Sequence, residues 1–281
     1  MRKIWFVTNV RSGSYDAALC EAIVGALSAG SCMVERVVRF PEDPLPTLAE
    51  VEAAGLDEIA IFTGDGTINA LTRAMAGWHG ALLVLPGGTM NLLARALHGD
   101  STAEDIARAS CGTARQVERI PVIEQGEAFA LVGAIVGPTT LWGDVRESMR
   151  DWDVAAMATA FGEAWTGTFS GSRVRVRGMA EDYPAIFIEA DADRLRMTGF
   201  TADGIGELFG HAAAWMNGDF REGPSVDLGG SSEAVIESDG TTLGLMLDGE
   251  KEDCAPPARF RHAMSPVAFV RTVPAVGKRA A

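Results

Sequence analysis

Cysteine and histidine are scarce in this chain, and neither clusters. The four cysteines (Cys20, Cys32, Cys111, Cys254) and four histidines (His79, His98, His211, His262) lie far apart, without metal-ligand spacing. That argues against a zinc site and for a reducing, cytoplasmic setting. No apolar run approaches the ~18 residues of a membrane span. Met1-Arg2-Lys3 followed by Ile4-Trp5-Phe6-Val7 has the start of a signal peptide. The run ends at Thr8-Asn9, too short for an h-region, and reads as a first strand. Basic residues are also in deficit: 24 Lys and Arg against 38 Asp and Glu leave a net charge of −14. A nucleic-acid binder carries the opposite footprint, and an anionic membrane would not attract such a chain broadly.

What is present is apolar material and glycine. With 47% hydrophobic residues in 281, the chain can fill the cores of roughly two domains. Its 32 glycines exceed the average share of ~7% and fit many tight turns.

The centre of the sequence is a unit that occurs twice. Ile59-Ala60-Ile61-Phe62 reads as a buried strand and runs into Thr63-Gly64-Asp65-Gly66-Thr67-Ile68-Asn69. Ile68, Leu71 and Met75 then follow at helical spacing. Ala81-Leu82-Leu83-Val84-Leu85 repeats the strand, Pro86-Gly87-Gly88-Thr89-Met90-Asn91 the turn, and Leu92 to Leu97 the helix. Neighbouring parallel strands bring both turns to one sheet edge, where open α/β folds place ligands.

These residue types suit phosphate. Glycine lets backbone approach an anion closely, and N–H groups at a helix start can cradle its oxygens. Thr67, Thr89, Asn69 and Asn91 add hydroxyl and amide donors. Asp65 repels a phosphate, so it belongs there as a proton acceptor or as a ligand to a bridging metal ion. Positioning, clamps and a base are what phosphoryl transfer requires. A plain βα turn with an acidic N-cap accounts for either loop alone, less readily for the two in tandem.

Gly64-Asp65-Gly66-Thr67-Ile68-Asn69 resembles the G-G-D-G-T-x-N motif of the diacylglycerol kinase catalytic superfamily, which includes sphingosine, ceramide and bacterial lipid kinases. Pro86 to Arg95 resembles its second motif, P-x-G-T-x-N-D-x-A-R. Asn9-Val10-Arg11-Ser12-Gly13 resembles the opening N-P-x-S-G, where Arg11 would offer a fork to phosphate. Leu247-Asp248-Gly249-Glu250 resembles the late D-G-E turn. Three departures stand out: Thr63 for the first glycine, Val10 for proline, and Leu92 for the aspartate of the second motif.

The resemblance implies an α/β fold with two parts. One is a mostly parallel-sheet nucleotide domain, over residues 1–114, like that of NAD kinases and lipid kinases. The other is a β-rich antiparallel, sandwich-like lipid domain, over 115–257, with a tail, 258–281, that packs back on the first. The chain pattern agrees. Strands and helices alternate up to a helix at Ser101–Ser110 capped by Ser101 or Thr102. Short strands then follow at 116–120, 127–132, 172–177, 184–189, 234–237 and 243–248, broken by a helix at 144–161.

By the same resemblance, Asn9, Arg11, Ser12, Gly13, Thr63, Gly64, Gly66, Thr67, Asn69, Gly87, Gly88, Thr89, Asn91 and Asp248 would bind ATP. Asp65 would be the catalytic base, and Glu250 would help position Mg²⁺ or ATP, so both count as catalytic and metal candidates. Trp142 and Asp144 are lipid-contact candidates. Arg173, Arg175 and Arg177 share a strand face that is either solvated or turned to lipid headgroups. The expected activity is an ATP-dependent lipid kinase acting on diacylglycerol, ceramide or a sphingoid base. The alternatives are an NAD kinase-like nucleotide kinase and a non-catalytic lipid or nucleotide sensor. The expected partners are the lipid and a transiently visited membrane surface, not nucleic acid, with a homodimer as a candidate assembly.

Overall fold

The computed structural model describes residues 1–12, 15–88, 91–112, 115–138, 173–201, 225–248 and 250–273. These form two compact units: Met1–Ile120 with Met264–Ala281, and Pro121–Ala263.

The first unit alternates strands and helices: β1 (Arg2–Asn9), α1 (Ala17–Ser28), β2 (Cys32–Phe40), α2 (Leu48–Ala53), β3 (Glu58–Thr63), α3 (Asp65–Ala74), β4 (Ala81–Pro86), α4 (Leu92–His98), α5 (Ala103–Ser110) and β5 (Gln116–Glu118). Three of these helices, α1, α2 and α5, start at a side-chain cap. Thr47 and Glu50 form a reciprocal capping box for α2, and Thr102 caps α5 by accepting from the Asp105 N–H. β3 is buried along its whole length and β4 along all but its last residue, as expected of continuous apolar runs in a sheet covered on both faces.

One strand arrives from the far end of the chain. β17 (Ala268–Arg271) enters between β4 and β5, giving the sheet order β2-β1-β3-β4-β17-β5. It runs parallel to β4 and antiparallel to β5. Residues 116–118 therefore complete the first sheet and do not open the second domain.

The second unit holds β6 (Pro121–Gln125), β7 (Ala128–Ala130), β8 (Ala134–Pro138), β9 (Val174–Val176), β10 (Ala185–Ala190), β11 (Leu195–Phe200), β12 (Ser225–Ser231), β13 (Glu233–Ser238), β14 (Leu243–Leu247), β15 (Glu250–Cys254) and β16 (Ala258–Met264). They form two sheets, β12-β11-β10-β8-β14-β15 and β7-β6-β16-β13-β9. Every pairing recorded between these strands is antiparallel. Val136, Ile186 and Leu245 of one sheet share a core with Ile123, Ile236 and Phe260 of the other, the mark of a sandwich. The tail expected over 258–281 divides. Residues 258–263 stay in this unit, where β16 pairs with β13, and only the following segment reaches the first sheet as β17.

Candidate active site

Three adjacent parallel strands deliver the three loops. β1 pairs with β3 and β3 with β4, in registers that set Thr8 opposite Phe62 and Thr63 opposite Pro86. The turns after Asn9, Thr63 and Pro86 thus leave the same sheet edge.

The two glycine-rich turns meet backbone to backbone. A Cβ built on Gly88 would stand 2.8 Å from the Gly64 Cα, and one on Gly87 would stand 2.6 Å from the Phe62 carbonyl carbon and the Thr63 nitrogen. Only glycine fits either position, and the reason is the neighbouring chain, since no positive φ accompanies these two residues. The first loop joins in through the Ser12 hydroxyl, 3.3 Å from the Gly87 carbonyl to which it donates. Asn9 folds that loop by accepting from the Arg11 N–H at 2.9 Å. Arg11 itself is exposed.

Asp65 is the first residue of α3, with Gly64 as the N-cap. The helix therefore begins three residues earlier than the apolar spacing from Ile68 suggests. Gly66 and Thr67 lie in its first turn, and the Thr67 N–H donates to the Gly64 carbonyl at 3.1 Å. Asp65, Thr67 and Asn69 are half-buried and Gly66 is exposed.

Two of the expected phosphate contacts have structural work. Thr63 is fully buried and its hydroxyl donates to the Gly64 carbonyl at 3.2 Å, so it shapes the turn from inside. The Asn91 side chain accepts from the Gly88 N–H at 2.7 Å, and its backbone is left-handed with φ 52°. Leu92, where the second motif has aspartate, is buried at 7% exposure and joins the apolar interior. Gly13 and Thr89, together with Trp142, Asp144 and the helix expected over 144–161, lie outside the described residues.

Asp248 and Glu250 belong to the second unit. The Asp248 carboxylate accepts from the N–H groups of Leu131 (2.6 Å), Val132 (2.8 Å) and Gly133 (3.1 Å), and its own N–H donates to the Gly133 carbonyl. With φ 51° it fixes the chain between β7 and β8 from the turn that follows β14. Sequence reasoning missed this clamp, because a D-G-E string gives no sign of which backbone its carboxylate meets. Glu250 opens β15 and is exposed. The arginine face is paired: Arg177 meets Glu237 at 2.7 Å, and Arg175 meets Glu237 at 3.5 Å and Asp182 at 3.6 Å.

The first unit has a counterpart among known proteins. Residues 3–123 match the model of the diacylglycerol kinase catalytic domain. The match spans less than half of the chain and marks this stretch as similar to that domain. The matched stretch runs from β1 into the start of β6, while β17, which sits between β4 and β5, lies beyond the match. A solved Bacillus anthracis str. Sterne protein provisionally named a diacylglycerol kinase aligns over 98% of both chains at 16% identity, with a TM-score of 0.67. A second from that organism, named a diacylglycerol kinase, aligns over 98% of both at 17% identity and 0.65. A third, again provisionally named, covers 95% of this chain and 96% of its own at 15% identity and 0.64. At such identity the likeness establishes the shared fold. No curated protein sequence matches the chain.

Proposed function

We propose that this protein transfers the γ-phosphate of ATP to the hydroxyl of a long-chain lipid alcohol, of the diacylglycerol, ceramide or sphingoid-base class. The observation that carries this is the contact of the Gly64 and Gly88 turns beneath the head of α3, with Asp65 as that helix's first residue. Bare backbone leaves room for phosphate oxygens, and helix-start N–H groups supply donors to them. Asp65, half-buried at the same edge, is the acceptor for the proton of the attacking hydroxyl. Ser12, Gly66, Thr67 and Asn69 surround the phosphate position, and Asn9 and Asn91 hold the turns in shape.

Among the described residues no three Asp, Glu, His or Cys side chains gather as a metal cage of protein alone. That suits Mg²⁺, which binds through one or two carboxylates plus substrate phosphates and water. Asp65 fits as its protein ligand, and Mg²⁺ would there neutralise charge on the transferred phosphate. Glu250 takes a supporting role toward Mg²⁺ or ATP, on the resemblance alone. The acyl chains need an apolar wall that the glycine turns do not offer. No described helix is long and apolar enough to cross a membrane. The lipid would be met by transient surface contact.

The test is a transfer assay with radiolabelled ATP against a panel of diacylglycerol, ceramide, sphingoid base and NAD⁺. Label in one of the lipids is the expected result. Label in NAD⁺ alone would move the protein to the nucleotide kinases, and nucleotide binding without transfer would make it a sensor.

A further inference from the structure

Two cysteines 79 positions apart in sequence meet at the opposite end of the first sheet from the phosphate loops. Cys32 opens β2 and is fully buried; Cys111 ends α5 and is partly exposed. Their Sγ atoms are 2.8 Å apart. Carbon atoms in ordinary contact stand ~3.5–4.0 Å apart, sulfur is larger than carbon, and a disulfide bond measures ~2.05 Å. The meeting is built by its surroundings. The Arg2 guanidinium donates to Cys32 Sγ at 3.1 Å and to the Ser110 carbonyl at 2.7 Å. The Ser31 hydroxyl donates to the Cys111 carbonyl at 3.2 Å. Gly30 leaves the space: a Cβ there would lie 2.5 Å from the Cys111 Cβ. A cation beside these sulfurs would face the Arg2 charge, so the arrangement favours sulfur–sulfur chemistry over metal binding.

We propose that Cys32 and Cys111 form a redox-active dithiol that closes to an intramolecular disulfide by exchange with a low-molecular-weight disulfide such as oxidised glutathione. The accessible Cys111 thiolate attacks one glutathione sulfur, the glutathione S–S bond breaks, and one glutathione thiolate leaves. Cys32 then loses its proton to solvent and attacks Cys111 Sγ, forming the protein S–S bond and expelling the second glutathione. The two cysteines lose two electrons and two protons, and one glutathione disulfide becomes two thiols. Burial and the neighbouring Cys32 hold the Cys111 thiol well above its ordinary pKa, so the first step is slow at neutral pH and quickens in mild alkali. The Arg2 guanidinium lies against the sulfur that makes the second attack. The bond staples the edge strand β2 to the end of α5. It sits about 25 Å from the phosphate loops, the length of the eight residues of β1 at ~3.3 Å each.

The experiment exposes the full chain to oxidised glutathione at pH 8, traps free thiols by alkylation, and maps peptides by mass spectrometry without reduction. The expected product is lighter by two hydrogens, joins the Cys32 and Cys111 peptides, melts several degrees higher and reopens with dithiothreitol. Cys32→Ala is expected to accumulate a glutathione adduct on Cys111 that the wild type does not retain. Cys111→Ser is expected to leave Cys32 free and nucleotide affinity unchanged. A wild type that keeps a stable adduct on Cys111 with Cys32 alkylatable, or that keeps both thiols free, overturns the proposal. The wild-type map decides this even if neither variant folds.

Discussion

Alanine at Gly88 and alanine at Gly64 have opposite consequences if the two turns cross as described. At Gly88 the new Cβ stands 2.8 Å from the Gly64 Cα, and the obstacle is backbone, which does not swing aside. Ordinary contact is ~3.5–4.0 Å, so the turns must part by about 0.7 Å or more. Overpacking of this kind costs ~1–3 kcal/mol, or a Tm fall of roughly 2–12 °C at this chain size. The Gly88 N–H to Asn91 bond at 2.7 Å sits in the displaced segment, so the proposed phosphate cradle distorts as well. At Gly64 the nearest atom to an added Cβ is 4.0 Å away, and φ −78° is open to alanine. There the lost N-cap preference and the gained backbone stiffness offset to within ~1 kcal/mol. Thermal melting, with titration of a non-hydrolysable ATP analogue, reads both effects. Gly88→Ala is expected to lose stability and nucleotide affinity together, while Gly64→Ala melts close to wild type. Equal melting and equal affinity in the two variants would refute the crossing.

Further outcomes follow from the two units. His98 is fully buried, its Nδ1 2.9 Å from the Thr272 hydroxyl, and burial lowers its pKa from 6.5 to about 4. As pH falls the unfolded chain takes this proton first, so stability present above pH 6.5 drains away towards pH 4, by up to ~3 kcal/mol. His98→Gln should flatten the urea-measured stability curve in that window, and an unchanged slope would place the acid sensitivity elsewhere. Asp248→Ala should cost ~3 kcal/mol or more, because charge-assisted hydrogen bonds are worth ~1.5–3 kcal/mol each. Asp248→Asn keeps an acceptor and tolerates positive φ, so equal losses in a denaturant titration would count against the clamp. Glu58, fully buried, is bonded to Arg115, and burial raises its carboxyl pKa despite the two nearby arginines. Glu58→Leu alone should cost ~3–5 kcal/mol, and Glu58→Leu with Arg115→Met should recover much of it. Simple addition of the two losses would deny the pairing.

The two glycine-rich turns were legible because local signals agree there. Ile59 to Phe62 and Ala81 to Leu85 are short apolar runs that end at glycine-rich turns, and the structure makes them β3 and β4. The sequence does not reveal direction. Thr63 and Asn91 have the donors a phosphate wants, yet their side chains brace the turns from within. Leu92 reads as a missing carboxylate and proves to be a buried apolar residue. Long-range partners were out of reach for another reason. β17 enters the first sheet more than 180 positions after β4, and Cys32 meets Cys111 across 79, separations at which no periodicity operates. β11, β12 and β15 were passed over because glycine, serine or charged residues interrupt their alternation, and cross-strand pairing overrides such weak local preference.

The central claim is that Asp65 takes the proton of a lipid hydroxyl as phosphate leaves ATP. The direct measurement is transfer from radiolabelled ATP to the best lipid of the panel, wild type beside Asp65→Asn, with melting followed in both. Loss of a positioned base lowers turnover by ~10²–10⁴-fold, so the account predicts that loss in a variant that melts like wild type and still binds nucleotide. Near-normal lipid phosphorylation by Asp65→Asn would contradict it.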